Sequence, residues 1–243
     1  MYGLGTIINV AAIIAGGIIG SLVGGRLKER FREIITMSIG LAVIFMGAGG
    51  AVSKMLVPSG TAFETTGTMM VIFSLVLGGI LGEIINIDHH VDRFGTWLRN
   101  KTKNTGDAKF VDGFVNASLT VCIGAMAIMG ALMDGLNKDP SILITKSILD
   151  FVSVLIMSAS MGKGCIFSAI PVGILQGLVT VFAKLLAPVM NDAAMNNLSL
   201  VGSILIFCVG VNLMFQGKFR IKIANLLPAI IFAVVAAYIP FLN

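Results

Sequence analysis

Residues Thr145–Cys165 read TKSILDFVSVLIMSASMGKGC, an oily stretch that nevertheless carries a lysine and an aspartate four residues apart. The surrounding chain decides what solvent that stretch meets. Of its 243 residues 56% are hydrophobic and 12% charged, with a mean hydropathy of +0.97. A soluble domain would carry about 25% charged residues. The chain is therefore read as an all-α integral membrane protein, a polytopic helix bundle in which Lys146 and Asp150 lie within a spanning segment.

A crossing helix needs roughly 20 mostly apolar residues, because the hydrocarbon core is about 30 Å thick and each helical residue rises about 1.5 Å. Working outward from Thr145, the apolar run from Ser141 to Val189 is too long for one crossing, and Gly162–Gly164 divides it. Pro140 suits the start of the first half. The expected spans are 5–24, 34–52, 69–87, 113–133, 141–161, 165–187, 198–215 and 223–242, eight in one membrane domain covering 1–243. No basic segment precedes the first, so it is not expected to be a cleaved signal.

The basic residues set an expected orientation. Arg26, Lys28, Arg30 and Arg32, then Arg93, Arg99, Lys101, Lys103 and Lys109, then Lys163, then Lys218, Arg220 and Lys222 make up 13 of the 17, all on one side of these spans. That side should be cytoplasmic and both termini outside. The net charge of +5 is thereby explained by topology, without nucleic-acid binding. Cys122, Cys165 and Cys208 lie in or beside apolar segments without metal-ligand spacing, so neither a disulfide framework nor a zinc site is expected.

An internal repeat joins the first spans. GGIIGSLVGGRLKERF (16–31) and GGILGEIINIDHHVDRF (78–94) begin alike and end alike, and AVIFMGA (42–48) resembles AMAIMGA (125–131). The first four spans are thus read as tandem helix hairpins, with a weaker inverted copy at VGILQG (172–177), where Gly173 and Gly177 repeat the spacing. Gly16, Gly20 and Gly24 fall on one helix face, as do Gly78 and Gly82, which lets neighbouring backbones approach. That face fits either packing within one bundle or a homodimer.

Together, GTIINVAAIIAGGIIGSLVGGRLKERF, IGAMAIMGALMDGL and KSILDFVSVLIMSASMGKGCIFSAIPVGILQG resemble the YqgA/YdfK-like family of bacterial integral membrane proteins, a domain of unknown function (554). The resemblance runs almost the whole length. It implies a bacterial inner-membrane location and a sodium channel or pump, and it supplies no catalytic residues.

Lys146 and Asp150 sit one helical turn apart, and Ser153 and Met157 continue their face. An ionisable side chain at this depth costs several kcal/mol, so such residues face the bundle interior, pair, and mark pathways. Asn9, Asn116, Gln176 and Asn212 lie inside other expected spans and could offer amide oxygens to a cation. Glu83, Asp134 and Lys163, near span ends, are read as gate residues or as interfacial caps. DHHVD (88–92) holds both histidines, but adjacent histidines on a helix point about 100° apart. An amphipathic extension is expected there, and no metal site. Lys184 is read as snorkelling to the interface.

SMGKGC (160–165) lacks the first glycine and the hydroxyl of a nucleotide-binding loop, and no H-E-x-x-H motif occurs. Neither enzymatic chemistry nor a cofactor is expected. Three classes remain open: an ion-coupled secondary transporter of a small cation or solute, with Na⁺ or H⁺ as candidates; an ion channel; and a non-transporting scaffold or sensor. Cysteine labelling in intact cells tests the orientation. Reagents confined to the outside should reach both termini and the segment after Val52 but not residues 88–112. A cytoplasmic C-terminus would show that the run from Ser141 to Val189 is wrongly divided.

Overall fold

The computed structural model describes residues 2–59, 62–215, 219–239 and 241. Helix α1 (Leu4–Gly24), without a charge along its length, turns into the longer α2 (Glu29–Met55). Arg30 and Arg32 consequently belong to a helix where a loop was expected. The strands of the described residues form an antiparallel hairpin, β1 (Leu56–Ser59) and β2 (Ala62–Thr65), which the sequence reading missed. Helix α3 (Thr68–Ile85) ends at Asn86, whose left-handed backbone (φ 57°) redirects the chain into α4 (Ile87–Lys101). That helix is amphipathic, as expected for DHHVD: Phe94 and Trp97 stack on its apolar side, their ring centroids 5.7 Å apart, and Arg99 and Lys101 close its last turn.

The expected span 113–133 is two helices. α5 (Phe110–Cys122) and α6 (Ala125–Asn137) meet at 61°, because Gly124 takes φ 148°, ψ 144°, a conformation essentially closed to residues with a side chain. Helix α7 (Ser141–Met161) is unbroken. Gly162 (φ 92°) then reverses the chain into a 3₁₀ turn (Lys163–Ser168) continuous with α8 (Ala169–Val181), followed by α9 (Ala183–Leu186). Helix α10 (Asp192–Phe215) precedes α11 (Ile223–Leu226) and α12 (Pro228–Ala236).

Among the described residues six helical runs are long and apolar enough to cross a membrane, and the bent α5 and α6 taken together make seven. Among the described residues the helical part of the expected eighth span, α11 and α12, covers Ile223–Ala236, which is shorter than a full crossing. Its expected residues 240 and 242 lie outside the described residues, as does Lys218. The exposed apolar side chains of Phe45, Met46, Ile84, Val181 and Ile231 mark surfaces that suit lipid.

Glycine seams set the packing. A Cβ added to Gly16, Gly20 or Gly24 would overlap the carbonyl of Phe151, Leu155 or Ala159 respectively, so α1 lies parallel to α7 with the backbones in contact. Gly78 meets Ala229 and Gly82 meets Asn225, which places α3 antiparallel to α11 and α12. Gly40 and Gly47 likewise face Gly210 and Phe207, so α2 opposes α10. The glycine faces of the two repeat copies thus serve close packing, but with different partners in opposite directions, and the copies are not structural equivalents. Gly173 and Gly177 have no such role: the first faces only the Val10 side chain and the second faces open space.

These directions are the ones that alternating crossings require, and they gather the basic segments at one end. There Lys109 pairs with Glu29, and Arg32, Lys103 and Lys163 border one shallow groove. Replacing Gly20 or Gly82 with leucine should lower the melting temperature sharply, because the obstructing atoms are backbone. Wild-type melting of both variants would rule out the seams as the basis of the packing.

Candidate functional site

The α1/α7 seam brings Asn9 beside the charged pair of α7. Asp150 Oδ2 accepts from Lys146 Nζ and, at 3.0 Å, from Asn9 Nδ2. Asn9 Nδ2 also lies 3.3 Å from Gln176 Oε1 on α8. Asn9 and Gln176 are completely buried and the two charged residues are each 6% exposed. Lys146 Nζ donates further, at 2.8 Å, to the carbonyl of Val121. That carbonyl stands at the end of α5, where the break at Gly124 leaves backbone acceptors without intrahelical donors. One ammonium therefore neutralises the carboxylate and satisfies the break. Asn9 Oδ1 and Gln176 Nε2 remain without partners among the described residues.

The surroundings of this centre differ on its two sides. One turn toward the basic end, the same faces of α1, α7 and α8 carry Ile13, Val154 and Val172, all completely buried, with Met157 beyond them. These form an apolar layer. Toward the opposite end the faces continue through Thr6 on α1 and through Gly177 and Thr180 on α8, which line a groove of about 550 Å³ together with Tyr2 and Lys184. Lys184 is exposed at that groove, in keeping with its snorkelling assignment.

A second cavity, of about 120 Å³, opens at the basic end below the apolar layer. Asp112, Val115, Asn116 and Leu119 present one face of α5 to it, and Met161, Leu213 and Ile223 close its depth. Its rim is cross-linked. Arg220 donates to Asp88 at 3.1 Å and Asp92 at 3.0 Å, while Lys222 and Asn225 bind the two oxygens of Glu83 at 2.8 and 2.6 Å. Burial pushes the Asp88 carboxyl above the usual carboxylate range even though Arg220 opposes it. The bond to Asp92 raises Arg220 further. Asn212 clasps the backbone of Ile221 in both directions, at 2.9 and 2.8 Å, and so fixes the segment that carries Arg220.

The structure thus brings together Lys146, Asp150, Asn9 and Gln176 of the expected pathway. Ser153 is only half-buried and takes no part in the hydrogen-bonded centre. Asn116 donates to the Asp112 carbonyl of its own helix and, with Asn212, belongs to the inner cavity. Of the gate residues, Glu83 is bonded by Lys222 and Asn225 at the basic end, beside the cavity and not in its lining. Asp134 is completely buried, its Oδ2 accepting the Gly5 N–H at 2.9 Å, so it caps the start of α1. Lys163 is exposed at the shallow groove of the basic end, away from the centre. Among the described residues no group of three or more histidine, cysteine or acidic side chains could hold a metal ion.

The family described as "Protein of unknown function (DUF554)" matches residues 4–238. The chain belongs to that family. It is similar to the uncharacterised membrane protein YdfK of Bacillus subtilis (strain 168), with 30% identity covering 97% of this chain and 96% of the relative. It is also similar to the uncharacterised protein YqgA of Escherichia coli (strain K12), with 29% identity over 95% and 94%. No solved structure matches.

Sequence reasoning missed the break that organises the centre. Its only trace is Gly124 inside an otherwise apolar run, in VCIGAM (121–126). The acidic clasp on Arg220 was equally hidden, because its members lie more than 120 residues apart along the chain. Gly124→Ala should cost about 1–3 kcal/mol through backbone strain alone, since open space surrounds the added methyl group. Gly49→Ala, equally open but without a positive φ, should leave melting unchanged. Equal melting temperatures for the two variants would show that the break does not need glycine.

Proposed function

We propose that this membrane protein is a secondary transporter that carries a small cation or polar solute through the Asn9, Lys146, Asp150 and Gln176 centre. The carrying observation is the placement of that buried centre against a helix break, with cavities toward opposite ends and an apolar layer on one side only. Broken helices at mid-depth are tolerated where the freed backbone is buried in protein or lines a cavity, and they recur where transporters bind substrate. The two unpartnered amide atoms supply the centre with spare hydrogen-bonding capacity, which costs about 1–3 kcal/mol per buried group when left unused.

The apolar layer favours a carrier over a channel. A channel needs a continuous wet path, whereas Ile13, Val154 and Val172 separate the centre from the inner cavity. Alternating access would open that layer while closing the groove at the opposite end. A bacterial inner-membrane location with both termini outside belongs to the same reading, as does Na⁺ or H⁺ as coupling ion.

Flux in reconstituted liposomes tests the proposal. Asp150→Asn should abolish it and cost about 3–5 kcal/mol of stability, because Lys146 is left as an uncompensated buried charge. The double change Lys146→Met with Asp150→Leu should regain much of that stability without regaining flux. A double variant that still transports would reduce the pair to a structural role. Single-channel conductance in wild type would instead favour the channel.

A further inference from the structure

The inner cavity offers a charge at its mouth and hydrocarbon at its depth. We infer that it binds a small organic cation, a primary ammonium bearing a short alkyl chain, with Asp112 taking the ammonium and Val115, Leu119 and Leu213 taking the chain.

Charge pairing around the cavity selects the sign of the ligand. Among the described residues two cations line it, Arg220 and Lys109, and both already have carboxylates: Arg220 holds Asp88 and Asp92, and Lys109 holds Glu29. Asp112, the remaining charged residue of the described lining, accepts no hydrogen bond on its carboxylate, which Arg220 and Lys109 reach only through space. The unspent charge is therefore negative. One turn deeper on the same face, Asn116 uses its amide N–H on the Asp112 carbonyl, which leaves its side-chain oxygen as an acceptor. An alkylammonium has three N–H donors and no acceptor of its own, and the two carboxylate oxygens of Asp112 with Asn116 Oδ1 are three acceptors to match them.

Size selects the chain. A volume of about 120 Å³ suits a few methylenes and falls short of the roughly 300–1,000 Å³ of pockets for drug-sized metabolites. Beyond Leu119 and Met161 the apolar layer closes the path, so the ligand ends in hydrocarbon. This assignment deepens the transport reading, and rests on it for the view that the cavity is the inner mouth of the path; binding itself can be measured without flux.

Calorimetric titration of the full-length protein in detergent with methyl-, ethyl-, propyl- and butylammonium is the test. Affinity should rise about fourfold with each methylene until the cavity is full, the increment expected for burying that group. Butanol and butyrate should not bind at the same concentrations. Asp112→Asn, at an exposed position in the first turn of α5, should lower butylammonium affinity at least tenfold, and Leu213→Phe should move the optimum to a shorter amine. Butyrate or butanol binding as well as the amine, unchanged affinity in Asp112→Asn, or no binding of any amine would each overturn the assignment. Amine binding through Asp112 without flux of any solute would keep this site and sink the transport reading; flux without amine binding would do the reverse.

Discussion

Along the length of α1, side chains at Gly16, Gly20 and Gly24 would run into the carbonyls of α7, so the two helices meet backbone to backbone and in parallel. Lipid supplies little hydrophobic drive between helices, and close van der Waals packing with interhelical hydrogen bonds takes its place. The seam does both. Its register, with Gly16 opposite Phe151, puts Asn9 two turns back within reach of Asp150, and Ser158 Oγ donates to the Gly17 carbonyl at 2.8 Å lower down. Without that register the buried carboxylate would lose a neutral donor that it cannot recover from lipid.

The ion pair and the helix break are each costly in hydrocarbon, and each lowers the cost of the other. A carboxylate at this depth needs a counter-charge, and the end of α5 needs donors for its carbonyls. Lys146 meets both requirements with one side chain. This explains why the pair sits on α7 level with Val121, since a lysine a turn away in either direction along α7 would serve the carboxylate or the carbonyl but not both.

How much of this was legible in the sequence follows from how local each signal is. Membrane class, the main spans, and the buried pair at Lys146 and Asp150 are visible because composition and i, i+4 spacing are properties of one helix. The glycine faces were visible for the same reason; their partners were not, because Gly82 finds Asn225 more than 140 residues away and nothing near Gly82 names it. The divided fourth span shows a different limit. Hydropathy continues smoothly through VCIGAM, and only the backbone angle at Gly124 distinguishes a break from a packing glycine. Asp134 stands near the end of α6, but the Gly5 N–H that it accepts is 129 residues away along the chain, so nothing local to Asp134 names its partner.

The same break separates two tightly held groups. On one side, Gly164 abuts the Phe110 carbonyl and Gly113 abuts Cys165, which locks the start of α5 to the 3₁₀ turn that follows α7. On the other, Gly135 abuts the Thr180 carbonyl, which locks α6 to α8. Backbone contacts of this kind move as units, because a packed interface has few intermediate arrangements. The joint between the units is Ile123 and Gly124, two residues from the carbonyl that Lys146 holds. Because the 3₁₀ turn runs directly into α8, both groups are tied to that helix, and the joint lies between the contact of Lys146 with Val121 and the contact of α6 with α8. Under the transport proposal, the coupling between substrate site and access needs no relay beyond that single ammonium.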